Sequence, residues 1–388
     1  MNARLRWGVS FLFASAVLVQ TSPSTAQSLP PTFEIAQVAS RSPPTAAAAG
    51  EQSRAAEVNS WTVGIAGGFF EGTFIRFAVE LAKALDDGDN LRILPIVSYG
   101  GNENINDLLY LKGIDIAITY TDTFELYKKS GRVRNIERRI NYISELLVGE
   151  LYVFGRPEIK SLKDLDGKKV SLGTKGGSAT TTGPIVFERL GIRPEFVYIN
   201  NTIALEKMKT SEIDAVVSTG GKPNDLFVKL KPEPGFHFIP VEYGPQFADY
   251  YLPCPLSHAD YAHLIPEGQL IDTLCMSAVL AVYNFTKGTD QARRLERFIR
   301  YYFERFDRLK QPSFHPKWKD VNLAAKVPGW NRYWLAADKL ASMQKAASLS
   351  ERQPAKPTRA GEAIGTLSSE QEALFKEFFI WMKQQEKR

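Results

Sequence analysis

The sequence predicts an α/β protein built as two lobes of similar logic, followed by a helical C-terminal extension. Three observations carry that expectation. Apolar runs with strand character alternate with amphipathic helical segments from Trp61 onward. The order strand, glycine turn, helix that surrounds Gly67 returns around Gly176. Finally, 44% of the 388 residues are hydrophobic against 23% charged, enough apolar material for two cores of moderate size.

Taken in chain order, residues 1–26 come first. Arg4 and Arg6 precede an apolar run from Trp7 through Val19, and Ser24, Thr25 and Ala26 follow it. That layout describes a secretory signal peptide. Gln20 and Thr21 end the run short of the roughly 20 apolar residues that a membrane span needs. The mature chain is therefore expected to be exported, periplasmic and soluble. Residues 27–59 are rich in Ala, Pro, Ser and Thr without a period, and read as a flexible leader.

Lobe one is expected over residues 60–150. A buried strand at 61–66 leads through Gly67 and Gly68 into a helix with Phe74, Phe77, Ala78, Leu81 and Leu85 on one face. A strand at 91–97, a helix at 104–112 and a strand at 114–119 follow. Lobe two is expected over 151–253. It opens with a strand at 151–154 and a short helical turn at 161–165. Next come a strand at 169–172, a helix running to Leu190, and strands at 196–198 and 215–217 around a helix at 203–209. Residues 254–345 return to lobe one through a strand at 278–282. A helix then places Leu295, Phe298, Ile299, Tyr302 and Phe306 on one face. A polar linker is expected at 346–367. A last helix is expected at 368–388, with Ser368 and Gln371 as its capping box.

Composition excludes several functions. The net charge of +5, from 48 basic and 43 acidic side chains, is mild, and no basic stripe suits a nucleic acid. Glycines 64, 67, 68 and 72 do not satisfy a dinucleotide loop, and Pro223 after Gly221 and Lys222 breaks a P-loop pattern. His258 and His263 beside Asp260 have neither helical nor zinc-like spacing. No catalytic residue, metal or cofactor is therefore expected, and the expected class is not an enzyme. The alternative of an exported hydrolase would need one of His237, His258, His263 or His315 as its base. Export permits Cys254 and Cys275 to be bridged, or to remain two small buried thiols.

What remains is a set of short polar loops with glycines, each placed after a strand. They lie at 67–73, 98–102, 119–122, 174–182 and 218–221. In open α/β sheets the crevice outside the strand ends is the ligand site. Helix starts at Thr73 and Ser178 would offer unpaired N–H groups to a carboxylate.

The runs Val63-Gly64-Ile65-Ala66-Gly67-Gly68, Ser98-Tyr99-Gly100-Gly101-Asn102 and Gly113-Ile114-Asp115-Ile116-Ala117 resemble TAXI-type solute-binding proteins of TRAP transporters. Further matches are the segment from Lys160 to Val170 continuing to Ser178, and Glu212-Ile213-Asp214-Ala215-Val216 continuing to Pro223. The resemblance covers about residues 61–230 well and the strand at 278–282 loosely. It implies a two-lobe type II periplasmic-binding-protein fold with a ligand cleft between the lobes. It also implies a monomeric receptor that closes on a small, carboxylate-containing solute and delivers it to a TRAP-type membrane permease. An exported sensing module for a membrane receptor kinase is the alternative. The expected ligand contacts are Gly68, Thr73, Tyr99, Asn102, Thr121, Asp122, Ser178, Ala179, Thr180 and Gly220. Asp122 is expected to select an amino group or to cap a helix. The tail beyond Gln311, with His315-Pro316-Lys317-Trp318, exceeds the family core.

Overall fold

The computed structural model describes residues 46–352 apart from 89 and 232. The signal segment expected at 1–26 and the helix expected at 368–388 lie outside the described residues.

Helix α1 (Ala46–Ser60) occupies part of what reads in the sequence as a flexible leader. Ala, Glu, Gln and Arg are strong helix formers, and their propensity acts without any apolar period. The side chains from Glu51 to Ser60 stay exposed or half-exposed, so this helix shows no core-facing stripe.

From Thr62 the expected alternation appears. Strand β1 (Thr62–Gly68) leads into α2 (Thr73–Leu85), β2 (Arg92–Val97), α3 (Gly101–Tyr110), β3 (Ile116–Tyr120) and α4 (Thr121–Ser130). Phe74, Phe77, Ala78, Leu81 and Leu85 are buried on α2, the face that the helical period selects. Each such side chain contributes about 1.5–3 kcal/mol relative to leaving it in water. The short α5 (Ile136–Arg139) then feeds β4 (Ile140–Gly155).

A second cycle follows with β5 (Lys169–Ser171), α6 (Ala179–Arg189), β6 (Glu195–Val197), α7 (Asn201–Lys209) and β7 (Ala215–Gly220). Helix α8 (Asp225–Val228) and strands β8 (His237–Phe238) and β9 (Leu252–Ser257) complete it. Strand β10 (Leu270–Tyr283), α9 (Asp290–Glu304) and α10 (Trp334–Arg352) end the described chain. The linker expected from 346 is helical as far as Arg352, because α10 continues through Ala346, Ala347 and Leu349. Leu295, Phe298, Ile299 and Tyr302 are buried on α9, and Phe306 is buried just beyond it.

The strands join in the order β2-β1-β3-β10-β4-β7-β5-β6. Pairing is parallel on each flank (β2-β1-β3 and β7-β5-β6) and antiparallel through the two middle strands. The middle strands are longer than the sequence suggested. Strand β4 has 16 residues and β10 has 14, where apolar runs at 151–154 and 278–282 mark only part of each. Both strands change partners along their length. Residues Ile140–Glu150 of β4 pair with β10, and Glu150–Gly155 pair with β7. Leu270–Cys275 of β10 pair with β9, and Ala278–Val282 pair with β3. The architecture is thus α/β in two halves, joined by two crossing strands.

Cys254 and Cys275 form a disulfide across β9 and β10, with their Cα atoms 6.0 Å apart. No helix among the described residues is long and apolar enough to cross a membrane.

Candidate functional site

A cavity of about 110 Å³ lies on the seam between the halves, where strand ends from both sides give way to helices. A water needs about 10–15 Å³ on this scale, so the space suits a small solute of some ten non-hydrogen atoms. One wall comes from β1 and the start of α2 (Gly68, Glu71, Gly72, Thr73, Phe74), with Tyr99, Gly100 and Tyr120 beside it. The facing wall comes from Leu172, Gly173, Thr174, Gly177, Ser178 and Ala179. Asn200, Asn201, Ser218, Thr219, Gly220, Asn224 and Leu226 complete it.

The loops are held in place from beneath. Asn104 is fully buried at the start of α3, and its Nδ2 donates to Ile118 O at 2.7 Å and Ala66 O at 3.3 Å. That fixes the first turn of α3 over β1 and β3. Gly100 then adopts φ 125°, a region that side chains disfavour, and a Cβ there would meet Gly177 Cα at 3.1 Å. Only glycine lets the two backbones approach so closely.

Four hydrogen bonds join the walls around the cavity. Gly101 N–H donates to Ser178 Oγ at 3.2 Å, and Glu103 N–H donates to Gly176 O at 3.2 Å. On the other side Gly221 N–H donates to Thr73 Oγ1 at 3.1 Å, and the Thr202 hydroxyl donates to Glu71 Oε2 at 3.1 Å. The halves are therefore closed on one another.

The electrostatics of the space come from dipoles. Neither α2 nor α6 has a side-chain cap, and the N–H groups of Thr73, Phe74 and Ala179 find no acceptor among the described residues. Two helix starts thus turn partial positive charge toward the cavity. Among the described residues Glu71 is the only charged one of the lining. Asn224 is buried, and its Oδ1 accepts from Leu226 N–H at 3.0 Å, while its Nδ2 donates to no group among the described residues. The rings of Phe74 and Tyr120, 4.7 Å apart, form an apolar patch of the wall.

Six of the ten residues expected from the sequence line this space: Gly68, Thr73, Tyr99, Ser178, Ala179 and Gly220. The other four stand outside it. Asn102 Oδ1 accepts from the Tyr127 hydroxyl at 2.9 Å, and the Thr180 hydroxyl donates to Gly177 O at 2.6 Å. Thr121 is buried at the start of α4, which begins directly after β3 and leaves no loop there. Tyr120 holds the N-cap of α4, and Asp122 is fully buried inside the first turn instead. Its Oδ2 accepts from the Thr182 hydroxyl at 2.6 Å and the Tyr251 hydroxyl at 3.2 Å, so it bridges α4 to α6 behind the cavity. Burial raises its pKa, against the lowering effect of those hydrogen bonds. Sequence reasoning missed Glu71, Asn200, Asn201 and Asn224. Asn200 caps α7 and Asn201 begins it, after β6, the same kind of strand-to-helix junction as the loops that were noticed.

Residues 65–327 match the NMT1-like family, more than half of the chain, and the chain belongs to that family. Among solved structures it is similar to Tv2483 bound to L-arginine, at 12% identity over 71% of this chain and 98% of that one, with a TM-score of 0.43. It is also similar to an amino acid ABC transporter substrate-binding protein from Streptococcus pneumoniae bound to L-arginine. There the identity is 12%, over 69% and 98% of the two chains, with a TM-score of 0.37. XAC2383 from Xanthomonas citri bound to ATP aligns at 11% identity over 73% and 98%, with a TM-score of 0.38.

Proposed function

We propose that this chain is a periplasmic solute receptor of the TAXI type. It captures a small polar solute carrying a carboxylate, and passes it unchanged to a TRAP-type membrane permease. One lobe comprises residues 60–150 with the returning segment after 254, and the other comprises 151–253. Hinges lie where β4 and β10 change partners, near Glu150 and near Cys275. The observation that carries the reading is the seam cavity, to which both halves contribute an uncapped helix start. Those N–H groups favour an anionic group, and the one acidic side chain of the lining, Glu71, is engaged at its edge by the Thr202 hydroxyl. Thr73, Ser178 and Asn224 supply hydroxyl and amide contacts, and Tyr99 forms the rim. The exported address rests on the signal segment at 1–26 and the delivery step on the resemblance to TAXI receptors. Nothing in the proposed cycle requires a chemical step or a cofactor.

The test is a thermal-shift screen of the mature chain with small carboxylates, each paired with its carboxamide. A ligand at one hundred times its Kd stabilises by about 2.7 kcal/mol. The expected result is a dose-dependent rise with a carboxylate and a smaller one with its carboxamide. Stabilisation by neutral sugars alone would refute the assigned ligand class, and turnover of the bound solute would refute the receptor itself.

A further inference from the structure

The tail beyond Gln311, expected from the sequence to exceed the family core, falls within the family match as far as residue 327, and residues 315–318 tie it to the seam. Trp318 is fully buried and stacks on Phe77 of α2 at 4.3 Å, and its Nε1 donates to Glu80 Oε2 at 2.6 Å. His315 N–H donates to both oxygens of the same carboxylate, at 3.1 and 3.0 Å. The tail is thereby pinned to the helix whose first turn lines the cavity.

Between those two anchors, Lys317 reaches the crossing strand. Its Nζ lies 2.6 Å from Glu150 Oε1, with the two side chains only 11% and 1% exposed. The other oxygen, Glu150 Oε2, accepts from Lys222 N–H at 2.7 Å. Lys222 directly follows Gly220, which lines the cavity, and Gly221, which donates to Thr73. A continuous chain of contacts therefore runs from the tail through Glu150 to the loop at 220–222 and back to α2.

We propose that Lys317 is a positioning residue for solute capture: by neutralising Glu150 where β4 changes partners, it holds the 220–222 loop against Thr73 and favours the closed form. This rests on the receptor reading above. A carboxylate buried without a counter-charge must regain water or lose its charge. The nearest backbone donor that ties it to the second half is Lys222 N–H, so rehydration of Glu150 loosens that loop first.

The experiment measures the halves directly, without a ligand. Spin labels are placed through Leu111→Cys on one half and Ile203→Cys on the other, both 54% exposed. The native cysteines are bridged and take no label. Lys317→Met should lower the ratio of closed to open distances by about tenfold, the scale of a typical coupling between contacting residues. Lys317→Arg should restore it, and Lys319→Met, an exposed neighbour on the same turn, should leave it as in the parent. If Lys317→Met does not fold, Lys317→Gln carries the same test, since it also removes the counter-charge of Glu150, with the same shift toward longer distances expected. A lowered melting temperature with an unchanged distance distribution would overturn the proposal, since Lys317 would then only brace the fold. The receptor reading fails separately: it falls if a solute that stabilises the parent leaves the parent's distances unchanged.

Discussion

Replacing Gly101 with alanine should make the protein more stable and a worse receptor. Gly101 begins α3, and its backbone needs no left-handed conformation. In the isolated first half, alanine at this first helical position gains less than the ~1 kcal/mol that it gains over glycine in a helix interior. The closed form pays for the change instead. An alanine Cβ would lie 2.8 Å from Ser178 Oγ on the facing wall and 3.3 Å from Thr119 Oγ1 on its own side. The first distance is too short to persist, so Ser178 must leave its position. That costs the hydrogen bond from Gly101 N–H, about 0.5–1.5 kcal/mol, and a displaced rotamer of similar cost. Closure should weaken by about 1–3 kcal/mol, which lowers the apparent affinity roughly 5- to 150-fold. The assay is titration of the first solute that stabilises the parent, beside a melt of the free protein. Adding Ser178→Ala should recover part of the affinity, because its Cβ stands 3.7 Å away, an ordinary contact. Unchanged affinity in Gly101→Ala would refute closure at this seam. Should the double variant recover nothing while Ser178→Ala alone binds as the parent does, the loss would fall to the Thr119 contact instead.

Two further outcomes are expected. His315 is buried, and desolvation, helped by the positive charge of Arg76, pushes its pKa down from 6.5 to about 4. Above pH 6.5 neither the folded nor the unfolded state holds the proton, so this histidine costs nothing. Below that, the unfolded chain takes up a proton that the folded chain refuses, and stability falls by about 2 kcal/mol at pH 5 and about 3 kcal/mol near pH 4. Asp122 and Glu150, both raised by burial, work in the opposite sense, because the folded state binds their protons first. Melts between pH 7.5 and 5 should therefore show a steeper acid loss in the parent than in His315→Gln; parallel curves would refute the assignment. The Cys254–Cys275 bridge closes a sequence separation of 21, so Cys254→Ser with Cys275→Ser should lower stability by about 3 kcal/mol. Urea melts would measure that loss, and a midpoint unmoved by reductant would exclude it.

Local periodicity made the flanks of the sheet legible. The buried stripe of α2 and the strands around it follow from the spacing of Phe74, Phe77 and Leu81, and the loops were visible because glycines and hydroxyl residues interrupt apolar runs. The crossing strands were read short. Strand β4 carries Ser144, Glu145 and Glu150 among its apolar residues, and these polar groups find partners only in the folded protein. Glu145 accepts from Ser277, Ser144 bonds Tyr302, and Glu150 meets Lys317, each more than a hundred positions away. A window of a dozen residues cannot contain such pairings. The same holds for the site. Asn102 and Ser178 look alike in sequence, each beside glycines at the start of a helix. The Tyr127 hydroxyl holds Asn102 away from the cavity, whereas the partner of Ser178, Gly101 N–H, comes from the facing wall and keeps its hydroxyl at the lining.

The two shared strands also govern how the protein is made. The inner edge of the first flank, where Tyr120 pairs with Ala278, stays open until almost the whole second flank has been synthesised. A chain emerging from the ribosome therefore cannot finish its first half early and leave it behind as a knot of stable structure. Completion of the first half waits for β10, so the two halves finish together rather than one after the other.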